Sequence, residues 1–377
     1  MNKIIWISAA VLSVAACAKN EVIPVNSGEN QEITFNVAPK TKADPDPEPE
    51  PKPEPKKEAF STNNVFASWA YYLPTGTDWE HKSDNPNDEK YPKEYISGAE
   101  IAYREKTEGS AEKVWKAQKT YYWPKNGTLT FFAYSLNKGD LTLAGKNSGF
   151  TCDPGTGISG GINMKDNPNT DFLVAEIAKN KTENVKTHFT KGVPTLFRHK
   201  LSNIVFKVAA GSYDRTSFKL KSIKFIKIGC YGSYNQVPES FSAGQKSSRY
   251  DAIYSENEEG QNITTTLTEV DKGSVKNWIF VPQRFDDETD EIEVVYEIIT
   301  EVATDKFVTQ TVTKTIKLKE LFPTKYDNSD PQKVIGGGWE MGKKYTINLT
   351  FTLNEILWDP AVQDWDPVTP ATDRVVE

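Results

Sequence analysis

The sequence predicts an all-β protein: two tandem β-sandwich domains that follow an N-terminal leader and a Pro-rich spacer. Three observations carry this prediction. First, segments with period-two alternation of apolar and polar residues recur along the chain. The cleanest spans 345–353, where Tyr345, Ile347, Leu349, Phe351 and Leu353 alternate with Thr346, Asn348, Thr350 and Thr352. Second, clusters of Gly, Pro, Asn and Asp separate these segments at short intervals, as strand-to-strand turns require. Third, past the leader no segment shows the apolar period of an amphipathic helix. A length of 377 residues accommodates two such domains.

Residues 1–16 read as an export signal, with Lys3 as the positive end, an apolar run over 4–14 and the small residues Val14-Ala15-Ala16. The run is too short to span a bilayer as a helix. It ends on Cys17, and V-A-A-C resembles the lipobox of bacterial lipoproteins. That resemblance implies cleavage between Ala16 and Cys17, acylation of Cys17 by palmitate or a similar chain, and anchoring in the outer membrane, which takes more than one acyl chain to be stable.

Residues 17–57 are a tether that contains one candidate strand, 32–37. Ile33, Phe35 and Val37 alternate with Thr34 and Asn36. The run 43–57 then places Pro at nearly every second position, which excludes helix and ladder and predicts an extended polyproline-II spacer. A lone strand is thus separated from the body with which it must pair.

The first sandwich is expected over 58–194. Strands are predicted at 65–73, 101–103 and 171–177, with a long polar loop at 75–95. Its focus is 120–136, T-Y-Y-W-P-K-N-G-T-L-T-F-F-A-Y-S-L, read as an aromatic hairpin turning at Asn126-Gly127. In the second arm Leu129, Phe131 and Ala133 share one face, and Thr130, Phe132 and Tyr134 the other. A strand apolar on both faces is central and covered on both sides. Such aromatics suit a core; an exposed ligand platform is the alternative. The Gly-rich run 137–169 lacks the ending of a phosphate loop.

The second sandwich is expected over 195–377. Strands are predicted at 195–210, 219–229, 278–281, 291–299, 307–318 and 345–353, with a turn-rich, polar excursion carrying short strands at 232–273.

Several function classes are excluded. The net charge of −7 and the absence of a basic stripe argue against nucleic acid as a partner. Cys152 and Cys230 allow one disulfide or two free thiols, and too few cysteines remain for a zinc site. His81, His188 and His199 lack a nucleophile context, so no catalytic residue, cofactor or metal is expected. His188 with His199, and Asp166, Asn167 and Asp171, are sparse metal sets better read as strand and turn residues.

Four blocks, in order, resemble fimbrillin-like proteins of Bacteroidetes: Y-Y-W-P-K-N-G-T-L-T-F-F-A-Y-S at 121–135, D-F-L-V-A at 171–175, F-R-H-K-L-S-N-I-V-F-K-V at 197–208, and Y-T-I-N-L-T-F-T-L-N-E-I-L-W-D-P-A-V-Q-D-W at 345–365. The resemblance implies a type V pilus subunit with two transthyretin-like sandwiches, exported as a lipoprotein and serving adhesion at the cell surface. It implies removal of an N-terminal strand by a trypsin-like protease. A donor strand from the C-terminal segment of a neighbouring subunit, here 359–377, then fills the groove. Ile33, Phe35 and Val37 match the removable strand. Thr41-Lys42-Ala43 stands where relatives carry Thr-Arg-Ala, so Lys42 and Ala43 flank the candidate cut, and no arginine precedes Arg104. Three outcomes stay open: a lysine-tolerant protease cuts there, another site is used, or the strand is retained in an anchor or accessory subunit. The implied partners are other pilus subunits, the outer membrane and ligands on host or bacterial surfaces. The alternative function is a non-polymerising lipoprotein that stacks glycans on Trp69, Tyr71, Tyr72 and Trp79.

Overall fold

The structure is a computed structural model that describes residues 31–37, 59–137, 149–165, 170–183, 192–243, 249–271, 278–285, 289–326, 334–365 and 369–370. Ala16, Cys17, Lys42, Ala43, the leader and the spacer lie outside the described residues. Within them the chain is nearly all β. The helical elements there are a 3-10 turn at Trp79–His81 and a single α-turn at Leu318–Leu321.

The first half is built on one large sheet. Its order runs Val193–Pro194, Phe35–Asn36, Lys113–Ala117, Lys93–Glu105, Phe66–Leu73, Thr128–Asn137, Asp171–Ala175, Phe197–His199, and Ala178–Lys181 also pairs with Thr128–Asn137. The two end strands nearly adjoin in sequence, so the sheet wraps around a single interior. Thr128–Asn137 lies deep in it, and both its faces are buried as predicted. Leu129, Phe131 and Ala133 join the inner core. Phe132 and Tyr134 join a second core on the outer side.

The predicted hairpin does not form. Thr128–Asn137 has its two sides taken by Phe66–Leu73 and Asp171–Ala175. Residues 121–123 turn instead to the N-terminal strand, with Glu32 bridged to Tyr122. Both flanks of the central strand are occupied by longer ladders, and these override the local turn signal.

The outer core is closed by a four-stranded sheet of Phe150–Asp153, Gly157–Asn163, Tyr231–Gln236 and Glu239–Ala243. Tyr234 packs edge-on against Phe172 at 5.2 Å. Residues 231–243 lie well past 194/195 in sequence, so the chain crosses between its halves at this layer.

The second half is a sandwich. One sheet orders Thr268–Glu269, Ser202–Ala210, Lys343–Phe351 and Ile356–Asp364, with Trp278–Phe280 also on Ser202–Ala210. The other orders Arg249–Ile263, Thr216–Gly229, Glu291–Ala303 and Lys306–Lys317. Their inner faces share one core, bridged by ring pairs such as Phe206–Phe225 at 5.7 Å and Tyr296–Phe351 at 4.8 Å. Ile356–Asp364 is an edge strand, with Leu357 50%, Trp358 41% and Val362 56% exposed.

Candidate strand-exchange groove

The N-terminal strand fills a slot between partners far from it in sequence. Its alternation decides which side chains go inside. Ile33, Phe35 and Val37 retain 3%, 5% and 2% of their exposure and belong to the inner core. Phe35 is the wedge. It meets Phe66 at 5.5 Å and Phe131 at 5.8 Å, both edge-to-face, the favoured arrangement for aromatic pairs. Phe66 and Phe131 sit on the large sheet's middle strands, so this contact ties the inserted strand to the core's centre.

Backbone bonds hold both edges of the strand. On one side Ile33 N–H donates to Tyr121 O at 2.8 Å and Trp123 N–H to Gln31 O at 3.1 Å. Phe35 pairs antiparallel with Trp115. On the other side Val193 N–H donates to Thr34 O and Thr195 N–H to Asn36 O, both at 2.8 Å, in a parallel ladder. Gly192 forms the lip of this wall. At φ +136° it occupies backbone space that L side chains rarely adopt, and a Cβ there would come within 3.0 Å of the Phe35 carbonyl carbon. Outside the slot Glu32 pairs with Lys116 at 3.2 Å.

The strand is joined to the body in sequence through residues 38–58 alone. A cut in that segment would leave it held by side-chain burial and the hydrogen bonds above. Vacating the slot would uncover Phe66 and Phe131, the two rings that meet Phe35. The sequence identified the inserted strand and its inward residues. It does not identify the walls: residues 193–195 are too short to show a period, and the Asn126-Gly127 turn signal draws 121–123 into a hairpin.

The other candidate residues fall elsewhere. Trp69, Tyr71 and Trp79 are buried in the outer core, and Tyr72 packs against the inner one. Trp69 stacks on Tyr134 at 5.8 Å and Trp79 meets Phe132 at 5.5 Å. Their faces are covered by core partners, so the glycan platform expected on these residues is not there. Cys152 and Cys230 are reduced and do not form a disulfide with each other. Burial pushes the Cys152 thiol well above its ordinary range, which leaves it protonated and unreactive at neutral pH. His81 pairs with Asp78 at 2.6 Å beside the 3-10 turn. His199 is buried, and the Asp171 carboxylate accepts from its Nδ1 at 2.6 Å. His188, Asp166 and Asn167 lie outside the described residues. Among the described residues no group of three or more His, Cys, Asp and Glu is placed to hold a metal.

Fold and groove together define a β-sandwich protein whose N-terminal strand inserts into a distant sheet. The sequence profile of the fimbrillin-like family matches residues 73–365, and the chain belongs to that family. That family is structural and adhesive rather than enzymatic. Its fold is similar to that of a fimbrial protein from Bacteroides vulgatus, at 15% identity and a TM-score of 0.55, covering 80% of this chain and 92% of that one. A candidate cell adhesion protein from Bacteroides uniformis matches at 10% identity and a TM-score of 0.46, over 90% and 99% of the two chains. The tip fimbrial protein Mfa3 from Porphyromonas gingivalis matches at 9% identity and a TM-score of 0.30, over 81% and 97%. No curated protein matches the chain.

Proposed function

We propose that this chain is a fimbrial subunit that assembles by donor-strand addition. The single observation that carries the reading is the burial of Ile33, Phe35 and Val37 in a slot whose occupant is joined to the body through 38–58 alone. Cleavage between Lys42 and Ala43 releases strand 31–37, and a neighbouring subunit refills the slot. The refilling strand must offer alternating apolar side chains and an open backbone edge. Ile356–Asp364 meets both requirements. Ile356, Trp358, Pro360 and Val362 share one face, and the strand lies at a sheet edge. The donor therefore begins before 359, the start expected from sequence, since the apolar alternation lies at 356–362. Pro360 fits an edge strand because one side of its backbone needs no donor.

Before cleavage, lipidated Cys17 places the chain on the outer membrane, with 17–57 as its tether. Two sandwiches, parted between Phe197–His199 and Ser202–Ala210 rather than at the expected 194/195 and bridged by the 231–243 hairpin, form the subunit body. The test is direct. Purified protein cut after Lys42 by a lysine-specific protease is expected to form SDS-resistant ladders, and trimmed subunits that stay monomeric at high concentration would refute the reading.

A further inference from the structure

We propose that Trp365 and His199 form a clasp that keeps strand Ile356–Asp364 docked on its own subunit, so that the donor is withheld until the clasp opens. The proposal rests on the donor-strand reading above and names what controls the donor.

Trp365 follows the edge strand directly. Its indole lies flat on the His199 imidazole, with ring centroids 3.6 Å apart and planes inclined by 6°. The imidazole is itself fixed. His199 is buried on strand Phe197–His199, and its Nδ1 donates to Asp171 Oδ2 at 2.6 Å from the neighbouring strand. Asp171 is thus a positioning residue: it sets the ring plane on which Trp365 rests. Trp365 N–H also donates to Gly342 O at 2.8 Å, and Lys343 forms an ion pair with Asp364.

The rest of the strand is held differently. Ile356 is buried at its start, but from Leu357 to Asp364 every residue except Pro360 is exposed. That stretch is retained mainly by one backbone ladder to Lys343–Phe351. An edge element with few buried contacts belongs to the least protected part of a fold. The ring stack at 365 therefore supplies a side-chain anchor that the exposed stretch lacks. Past the clasp, Thr369–Pro370 pairs in parallel with Ala59–Phe60, and Phe60 lies in the inner core against Phe66, which also contacts Phe35. The tail is thus fastened beside the slot that the donor of another subunit would fill.

Hydrogen exchange on the full mature chain tests the clasp. Trp365→Ala is expected to speed exchange of those 357–364 amides that bond to Lys343–Phe351 at least ten-fold while Ser202–Ala210 stays at the wild-type rate. Trp365→Phe, which keeps a stacking ring, is expected to remain within three-fold of wild type. Exchange of 357–364 within two-fold of wild type in Trp365→Ala would overturn the proposal. Equal acceleration of Ser202–Ala210 would overturn it too, because the residue would then support the whole fold. Trimmed Trp365→Ala subunits should assemble faster than trimmed wild type. If their tail is freed and they still fail to assemble, the clasp stands and the donor-strand reading falls.

Discussion

Phe35→Ala is the most informative single change in the inserted strand. Phe35 is almost fully buried and is braced by Phe66 and Phe131 on two sides. Truncating a buried phenylalanine costs about 3–5 kcal/mol. In the uncut chain the strand is tethered, and a flexible link of this length holds it at an effective concentration of about 1 mM. The variant should therefore still fold, with a lowered Tm. After cleavage the tether is gone and the same loss acts on retention of the free segment. At about 1.4 kcal/mol per ten-fold, the cut segment should leave about 10² to 4 × 10³ times faster than in wild type. The assay is fluorescence anisotropy of protein labelled at its N-terminus and followed after lysine-specific cleavage. Thr34→Ala is the control: its carbonyl rather than its side chain accepts from Val193, so the change should stay within about 0.5 kcal/mol. Equal release from Phe35→Ala and wild type would refute the claim that side-chain burial holds the strand.

Three further outcomes follow from the same account. Gly192→Val places a branched side chain against the Phe35 and Thr34 backbone at a positive φ, and should destabilise the inserted strand by about 1–3 kcal/mol, read as increased exchange of the Ile33 amide. Lys42→Ala should abolish cleavage of the Lys42–Ala43 bond, read by N-terminal sequencing as loss of the Ala43 terminus; because Lys40, Lys56 and Lys57 offer other bonds in 38–58, normal ladders from this variant would move the working cut to one of those. Cys17→Ser should abolish lipid incorporation, measured as loss of the acylated N-terminal peptide by mass spectrometry and loss of the protein from the membrane fraction.

Much of the fold was legible where side-chain periodicity and burial coincide. The two-sided apolar pattern of Leu129–Tyr134 forecast a covered central strand, and Ile33, Phe35 and Val37 forecast their own inward face. What escaped was set by partners remote in sequence. Arg249–Ile263 reads only as short strands in a turn-rich excursion, not as one long strand, because its pairing with Thr216–Gly229 shifts register at Leu220/Ser222, Ile223/Lys224 and Phe225/Ile228, and each shift breaks the period of two. Gly157–Asn163 carries no strand signal in the sequence because it is rich in glycine. The reason is packing: a Cβ on Gly160 would meet the Phe150 ring at 2.5 Å, so the strand accepts an aromatic across its bare backbone. The groove's far wall at 193–195 and the stack of Trp365 on His199 have no sequence signature at all. Each joins residues that only the folded topology brings together.

The central claim is that one slot is filled first by residues 31–37 and later by a neighbour's 356–362. Site-resolved hydrogen exchange at Trp123, Val193 and Thr195 reads the slot directly, because these amides donate to Gln31, Thr34 and Asn36. They should be protected in the intact subunit, exposed in the trimmed monomer and protected again in the assembled ladder. Continued protection in the trimmed monomer, or exposure of these amides in the assembled ladder, would contradict the account.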